Sequence, residues 1–284
     1  MMTDALLAYF SNTAMVLAAG FGTRMRPLTL EKPKPLFEVG GRTMLDRAID
    51  HLQAAGIARV VVNAHYLGDQ IKAHVAARST LDNPSLQDAE SAVAIQSYQN
   101  QPLSCSDSGL LHCARNEGTF ILSSEAEILD TGGGVKNALA HFGDKPFFVM
   151  SADLPWTNGA VPALERMAQA WDEARMDVLL LLCPRERAKG FHGAGDFMCE
   201  PDGRTWRKGA AAEKPYVWLS VMIVKPALYY EISETVFSNN VIFNRAEDQG
   251  RLFGLIHDGT CFHVGTPEDL AEANRLCQTG VGWG

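Results

Sequence analysis

The segment Leu17–Leu36 reads LAAGFGTRMRPLTLEKPKPL. It continues from Ala14–Ala18 (AMVLA), a short, wholly apolar run of the kind that forms a strand buried on both faces. Gly20-Phe21-Gly22 opens as a dinucleotide-binding loop opens, but Met25 stands where the third glycine belongs and Pro27, Pro33 and Pro35 follow. A dinucleotide loop must run straight into a long helix whose dipole faces the pyrophosphate. Prolines at these positions, and the bias of the residues before them away from helical backbone, make that helix improbable. The nucleotide P-loop pattern GxxxxGK[ST] is also absent. What remains is a glycine-rich turn after a buried strand, whose free backbone N–H groups can wrap an anion while Arg24 and Lys34 add full charges. Prolines on both sides of Lys34 stiffen the segment that delivers it. Such a site suits a triphosphate; Lys32 reads as a solvated side chain.

Downstream, strand and helix patterns alternate. Thr43 can cap a helix whose Met44, Leu45, Ala48, Ile49 and Leu52 share one face, with Gly56 at its end. A strand over 59–63 and a helix carrying Leu67, Ile71 and Val75 follow, which is the rhythm of a parallel sheet. From 79 to 118 the text turns to Ser, Asn, Gln, Asp and Pro and reads as an insertion. A strand over 120–125 leads to LDTGGGVKNALAHFG, where Val135, Ala138, Leu139 and Phe142 recur at helical spacing and the three glycines fall at the helix N-terminus. FFVMS (147–151) is another buried strand, and Asp153 sits just past its end. A helix over 160–171, a strand over 178–183, a hairpin turn at Pro201-Asp202-Gly203-Arg204, an alternating strand over 217–225 and short strands near 252–256 and 261–264 complete the pattern. Thr266 caps a last helix with Pro267 at its first position. These elements predict one α/β domain over 14–278 with a doubly wound, mostly parallel sheet. Its nucleotide half covers about 14–184, and a small sugar-facing β lobe about 185–278.

The chain has 284 residues, 46% of them hydrophobic and 20% charged, with a formal net charge of -8. No basic run is present, which argues against nucleic acid as a partner. Six cysteines without CxxC spacing read as reduced thiols, and Cys105, His112 and Cys113 match no common zinc spacing. No apolar run approaches membrane-spanning length and the start lacks a basic leader, so a cytoplasmic protein with no membrane partner is expected. Nothing in the sequence specifies an oligomer.

LAAGFGTRMRPLT followed by KPKPL closely resembles the signature of sugar-phosphate nucleotidyltransferases. The resemblance continues at DTGGG, SADLPW, GAGDF and HVGTPEDL and covers most of the chain. TGGG, GDF and VGTPE together look most like the branch that uridylylates N-acetylmuramate 1-phosphate. The resemblance implies a Rossmann-like, GT-A-like fold and attack of a sugar 1-phosphate on the α-phosphorus of a nucleoside triphosphate, UTP being favoured, with pyrophosphate expelled and no protein nucleophile required. By position, Ala19, Gly20, Gly22 and Thr23 would cradle the triphosphate, Arg24 would steady the departing pyrophosphate and Lys34 would sit on the α-phosphate. Gly132 and Gly133 would let the base approach the backbone, Asn63 would line the same pocket, and Gly195, Asp196 and Phe197 would face the sugar. Asp153 would hold Mg²⁺, with Mn²⁺ as the alternative.

Two positions depart from the family pattern. Relatives usually close the last strand with an aspartate, the second metal ligand, where this chain has His263; imidazole is a poor magnesium ligand. Three readings stay open: Asp153, phosphates and water hold the metal with His263 outside them; the site takes manganese or cobalt; or the chain binds nucleotide without turnover, as a sensor or regulatory subunit. Ser220 stands where relatives carry a glycine before the sugar, so guanylyl transfer to mannose 1-phosphate or thymidylyl transfer to glucose 1-phosphate is the alternative within the class. Lys214, in an EKP triplet too near the following strand to align, reads as surface.

Overall fold

A computed structural model describes residues 2–82, 119–207 and 214–281. In chain order the elements are α1 (Asp4–Leu7), β1 (Thr13–Leu17), β2 (Glu38–Val39), β3 (Arg42–Thr43), α2 (Met44–Ala54), β4 (Arg59–Ala64), α3 (Gly68–Asp82), β5 (Thr119–Ser124), α4 (Asp130–Asn137) and β6 (Phe147–Ser151). They continue with α5 (Ala163–Ala170), β7 (Val178–Pro184), β8 (Ala188–Lys189), β9 (Met198–Cys199), β10 (Thr205–Trp206), β11 (Tyr216–Val224), α6 (Ala227–Tyr230), α7 (Asn240–Asp248), β12 (Leu252–Ile256), β13 (Cys261–Phe262) and α8 (Pro267–Gln278).

Seven strands form the central sheet in the order β12-β7-β11-β6-β1-β4-β5. All run parallel except β11, which is antiparallel to both β6 and β7. The strand sequences explain why both faces must be covered. In β1, Ala14 and Val16 point into one apolar cluster and Met15 and Leu17 into the other. Phe148 and Met150 oppose Phe147 and Val149 in β6 in the same way, and in β7 Leu179 and Leu181 oppose Leu180 and Leu182. With each such side chain contributing roughly 1.5–3 kcal/mol on burial, helices on only one face would leave half of that stabilisation unrealised. Helices α2, α3 and α5 cover the first face and α4, α6 and α7 the second. The sheet is doubly wound, as the alternation of patterns predicts.

The winding also fixes where a ligand can sit. From β1 the chain moves outward through α2 to β4 and through α3 to β5, then returns through α4 to place β6 on the other side of β1. The crevice beyond the carboxyl ends of β1 and β6 is therefore a topological switch point, the usual ligand position in open α/β sheets. The segments leaving those two strand ends carry Ala18–Arg24 and Ala152–Asp153.

After β7, strands β11 and β12 return to the main sheet, so the small lobe consists of the pairs β9/β10 and β8/β13. The β9–β10 turn has Gly203 at φ 88°. Thr266 caps α8 with a capping box completed by Asp269. Boundaries differ from the sequence patterns where backbone chemistry intervenes. Leu67 has φ 49° and lies before α3, and α5 begins at Ala163, after Pro162. Helix α3 extends to Asp82; residues 83–118, which hold the remainder of the expected insertion with Cys105, His112 and Cys113, lie outside the described residues. Among the described residues no helix is long and apolar enough to cross a membrane.

Candidate active site

The opening loop owes its shape to three contacts. Gly22 has φ 59°, and a Cβ there would lie 3.0 Å from the Thr29 methyl and 3.1 Å from the Lys34 Cβ. The Gly22 carbonyl accepts a hydrogen bond from the Thr29 hydroxyl at 3.0 Å, and Met25 is fully buried, pinning the 3₁₀ turn Thr23–Met25. None of the backbone N–H groups from Gly20 to Arg24 donates to a described residue. A run of unengaged donors at a loop is a nest for an anion.

Buried Pro35 and Leu36 anchor the second cationic arm, and Lys34 Nζ reaches Asp153 Oδ2 at 2.9 Å. This ion pair joins positions 119 apart in the sequence. The Lys34 side chain is 11% exposed and that of Asp153 42%, so the carboxylate keeps an open side. Burial raises the Asp153 carboxyl, but the Lys34 charge and hydrogen bond, with His263 and Arg24, outweigh it and hold the group below the ordinary carboxylate value. Arg24 is paired with no carboxylate among the described residues. A cavity of about 300 Å³ is lined by Ala19, Gly20, Gly22, Thr23, Arg24, Lys34, Thr131, Asp153 and Gly265, among others. Of the predicted phosphate and metal residues, the structure brings all but His263 onto this wall.

His263 lines a second, larger cavity of about 690 Å³, which meets the first where Leu154 follows Asp153 and Gly265 follows the 263–264 pair. Its ring packs edge-on against Phe191, and its Nδ1 is buried without a partner among the described residues. Burial, then the charges of Lys34 and Arg24, push the imidazole below its ordinary value, so it is neutral at neutral pH.

The large cavity contains the predicted sugar-facing motif. Gly195 has φ 86°, and a Cβ there would fall 2.0 Å from the Lys214 carbonyl, so only glycine permits this crossing. The crossing docks Asp196 and Phe197 on β11, both donating N–H to the Tyr216 carbonyl. Asp196 Oδ2 accepts the Trp218 N–H at 2.9 Å, and burial raises its carboxyl above the ordinary value despite that bond. Phe197 is only 3% exposed and packs against Phe243, so it serves mainly as core at the cavity wall. Ser220 sits at the β11 bulge with φ 56°, in the left-handed region that favours glycine, and also lines the cavity.

Three expectations need correction. Asn63 is absent from the cavity wall: its Oδ1 accepts the Ala18 N–H at 2.6 Å, its amide donates to Glu125 at 2.7 Å, and 2% of it is exposed. Both ends of that side chain are committed to the protein, fixing the exit of β1. At Gly132 and Gly133 the missing side chain makes room for protein packing. A Cβ on Gly132 would sit 2.4 Å from the Phe237 ring and one on Gly133 2.2 Å from the Thr235 carbonyl, while both N–H groups donate to the Phe237 carbonyl. Lys214, expected at the surface, lines the large cavity. Sequence reading missed Arg207, Asn240 and Asn244 on the same wall. It also missed Glu125, a buried carboxyl raised by desolvation that receives Asn63 and the Leu129 N–H. The i,i+4 spacing of the two asparagines was the available signal.

A phosphate-sized, cation-lined crevice at the switch point of a doubly wound sheet defines a nucleotide-handling α/β protein. Residues 14–229 match the family model of the MobA-like NTP transferase domain, and the chain belongs to that family. It is 36% identical over 267 residues to the N-acetylmuramate alpha-1-phosphate uridylyltransferase of Caulobacter vibrioides, covering 93% of this chain and 97% of that one. Identity to the protein of the same name from Neisseria meningitidis serogroup B is 27% over 264 residues, with the same coverage of 93% and 97%. Among solved structures, UDP-glucose pyrophosphorylase complexed with UDP-glucose shares the fold with a TM-score of 0.66 at 14% identity, over 94% of this chain and 98% of that one. The chain is a sugar-phosphate nucleotidyltransferase, moving a nucleotidyl group from a nucleoside triphosphate to a sugar 1-phosphate.

Nucleotidyltransferases of this family generally use a divalent metal. Asp153 is the one carboxylate on the small cavity's wall, and among the described residues no three His, Cys, Asp or Glu side chains are grouped to hold an ion. A single hard oxygen donor beside a phosphate nest fits an ion shared with substrate oxygens and water, and does not form a cage for a tightly held structural ion.

Proposed function

We propose that the chain transfers uridylyl from UTP to N-acetylmuramate 1-phosphate, giving UDP-N-acetylmuramate and pyrophosphate. The observation that carries the chemistry is the convergence of the 20–24 nest, Arg24, Lys34 and Asp153 on one cavity wall. The choice of base and sugar is supported by the Caulobacter relative, which aligns over nearly its whole length.

In this reading a phosphate oxygen of the sugar 1-phosphate forms a bond to the α-phosphorus of UTP. The bond from that phosphorus to the bridging oxygen breaks, and its electron pair leaves with pyrophosphate. Phosphoryl chemistry of this kind asks the protein for positioning and charge neutralisation, not for a covalent step. The N–H groups of Gly20, Gly22 and Thr23 hold the triphosphate, Arg24 offsets charge on the departing pyrophosphate, and Lys34 moves from Asp153 to the α-phosphate. The carboxylate released by Lys34 is then free for Mg²⁺, which would neutralise phosphate charge; Asp153 is the protein group that would hold it. His263, neutral and turned to the larger cavity, stands outside that contact. Asp196, Gly195 and the wall around them take the sugar. A cytoplasmic site of action goes with this reading.

Pyrophosphate release measured for UTP, GTP and dTTP against N-acetylmuramate, mannose and glucose 1-phosphates, with Mg²⁺ and Mn²⁺ in parallel, tests it. The UTP and N-acetylmuramate pair should give the highest kcat/KM. A faster pair of another base or sugar replaces the proposed specificity, and tight binding without release under every pairing supports the sensor reading that His263 suggested.

A further inference from the structure

The large cavity carries a second cationic centre, separate from the one at the triphosphate loop. Lys34 and Arg24 bear on Asp153, and Lys214 and Arg207 bear on Asp196. Arg207 stands out in how it is held. Its guanidinium donates to Asn240 Oδ1 at 2.5 Å, to Asn244 Oδ1 at 2.9 and 3.2 Å and to the Asn240 carbonyl at 3.4 Å. Each of these acceptors is neutral. The nearby Glu247 carboxylate receives the Arg207 backbone N–H at 3.2 Å, and no carboxylate among the described residues lies within salt-bridge distance of the guanidinium. Asp196 forms no ion pair with it, and one of its carboxylate oxygens accepts the Trp218 N–H.

Two amides one helical turn apart on α7 thus orient a planar, permanently charged fork on a cavity wall, with no ion pair to a carboxylate among the described residues. Orienting an arginine through neutral acceptors serves an anionic ligand, because a carboxylate partner in the protein would cancel the charge that the ligand needs. A neutral hexose 1-phosphate presents its one anion at the anomeric end, which must meet the α-phosphate near Lys34. N-acetylmuramate has another, the carboxylate of its lactyl ether. We propose that Arg207, oriented by Asn240 and Asn244, receives the lactyl carboxylate and so sets the preference for an acidic over a neutral amino-sugar 1-phosphate. This rests on the uridylyl transfer to N-acetylmuramate 1-phosphate argued above.

The test compares kcat/KM for N-acetylmuramate 1-phosphate, its lactyl carboxamide and N-acetylglucosamine 1-phosphate in the wild type and in Arg207→Gln. In the wild type, the acid should exceed the carboxamide by on the order of 10- to 100-fold, the range for a hydrogen-bonded charge pair. In Arg207→Gln that ratio should collapse toward unity, because KM rises far more for the acid than for the carboxamide or the neutral sugar. Equal losses for all three sugars would make Arg207 a structural or phosphate-binding group and overturn the proposal. An acid preference that survives Arg207→Gln would overturn it while leaving the function intact. A wild type indifferent to the ligand's charge overturns the proposal while leaving the transfer reading to the base and sugar panel, and because that arm needs no variant it holds even if Arg207→Gln fails to fold.

Discussion

Lys34→Ala should lower kcat by on the order of 10²- to 10³-fold, the cost of removing one donor aimed at developing charge in a preorganised site. The structure offers little reason for the protein to unfold. Among the described residues Lys34 makes one ion pair, with a carboxylate that is 42% exposed, and pairs with a carboxylate open to water contribute about 0–1 kcal/mol. Its stem packs against Gly22 and Asp153 keeps an open side, so the melting temperature should fall by only a few degrees, roughly what 1 kcal/mol does in a chain of this size. KM for UTP should rise less than kcat falls, because the nest N–H groups and Arg24 continue to hold the β- and γ-phosphates. Steady-state kinetics with a thermal melt decides the matter. A variant with near-normal kcat would remove Lys34 from the chemistry.

Asp153→Asn should be as damaging, by a route that can be told apart. The substitution keeps the shape of the side chain and a neutral oxygen but removes the only negative charge that the described residues place on the small cavity's wall. Divalent ions beside phosphates depend on hard anionic oxygen, and the charge neutralisation they supply amounts to several kcal/mol. Turnover should therefore drop on the order of 10³-fold. Manganese binding to the free protein, followed by paramagnetic resonance, should disappear. Affinity for metal-free UTP should hold or rise, because a carboxylate that repels the triphosphate is gone and Lys34 is released from its partner. Loss of UTP binding together with turnover would indicate collapse of the loop instead, and unchanged metal dependence would clear Asp153 of the assigned role.

How far the sequence revealed the structure depended on whether a residue's role is local. The strands were legible almost to the residue: FFVMS (147–151) and 252–256 stand as read, because strands covered on both faces are written as unbroken apolar runs. Caps at Thr43 and Thr266 were equally plain, since a side-chain oxygen before an amphipathic run is a short-range signal. Helix α7 was missed, although Ile242, Phe243 and Ala246 mark its buried face, because Asn239 makes no side-chain cap bond and the run is short. At the site, the residues singled out by motif in the 20–24 loop, with Lys34 and Asp153, meet in one cavity. Direction was not legible. Whether a glycine without a side chain makes room for a ligand or for protein depends on what folds against it, and for Gly132 and Gly133 the occupant is Thr235–Phe237, about a hundred residues downstream. The same holds for Asn63, whose commitment to Ala18 and Glu125 requires knowing that β5 lies beside β4. Arg207 had no motif at all; its role follows from Asn240 and Asn244, brought to it by tertiary packing.

A crystal structure of the protein with Mg²⁺ and a UTP analogue carrying a methylene between the α- and β-phosphorus is the most direct test of the site. The triphosphate should lie along Gly20–Arg24 with Lys34 Nζ moved off Asp153 onto an α-phosphate oxygen and the ion on the Asp153 carboxylate. A triphosphate bound elsewhere, with the Lys34–Asp153 pair still closed at 2.9 Å, would contradict the assignment of these residues to nucleotidyl transfer.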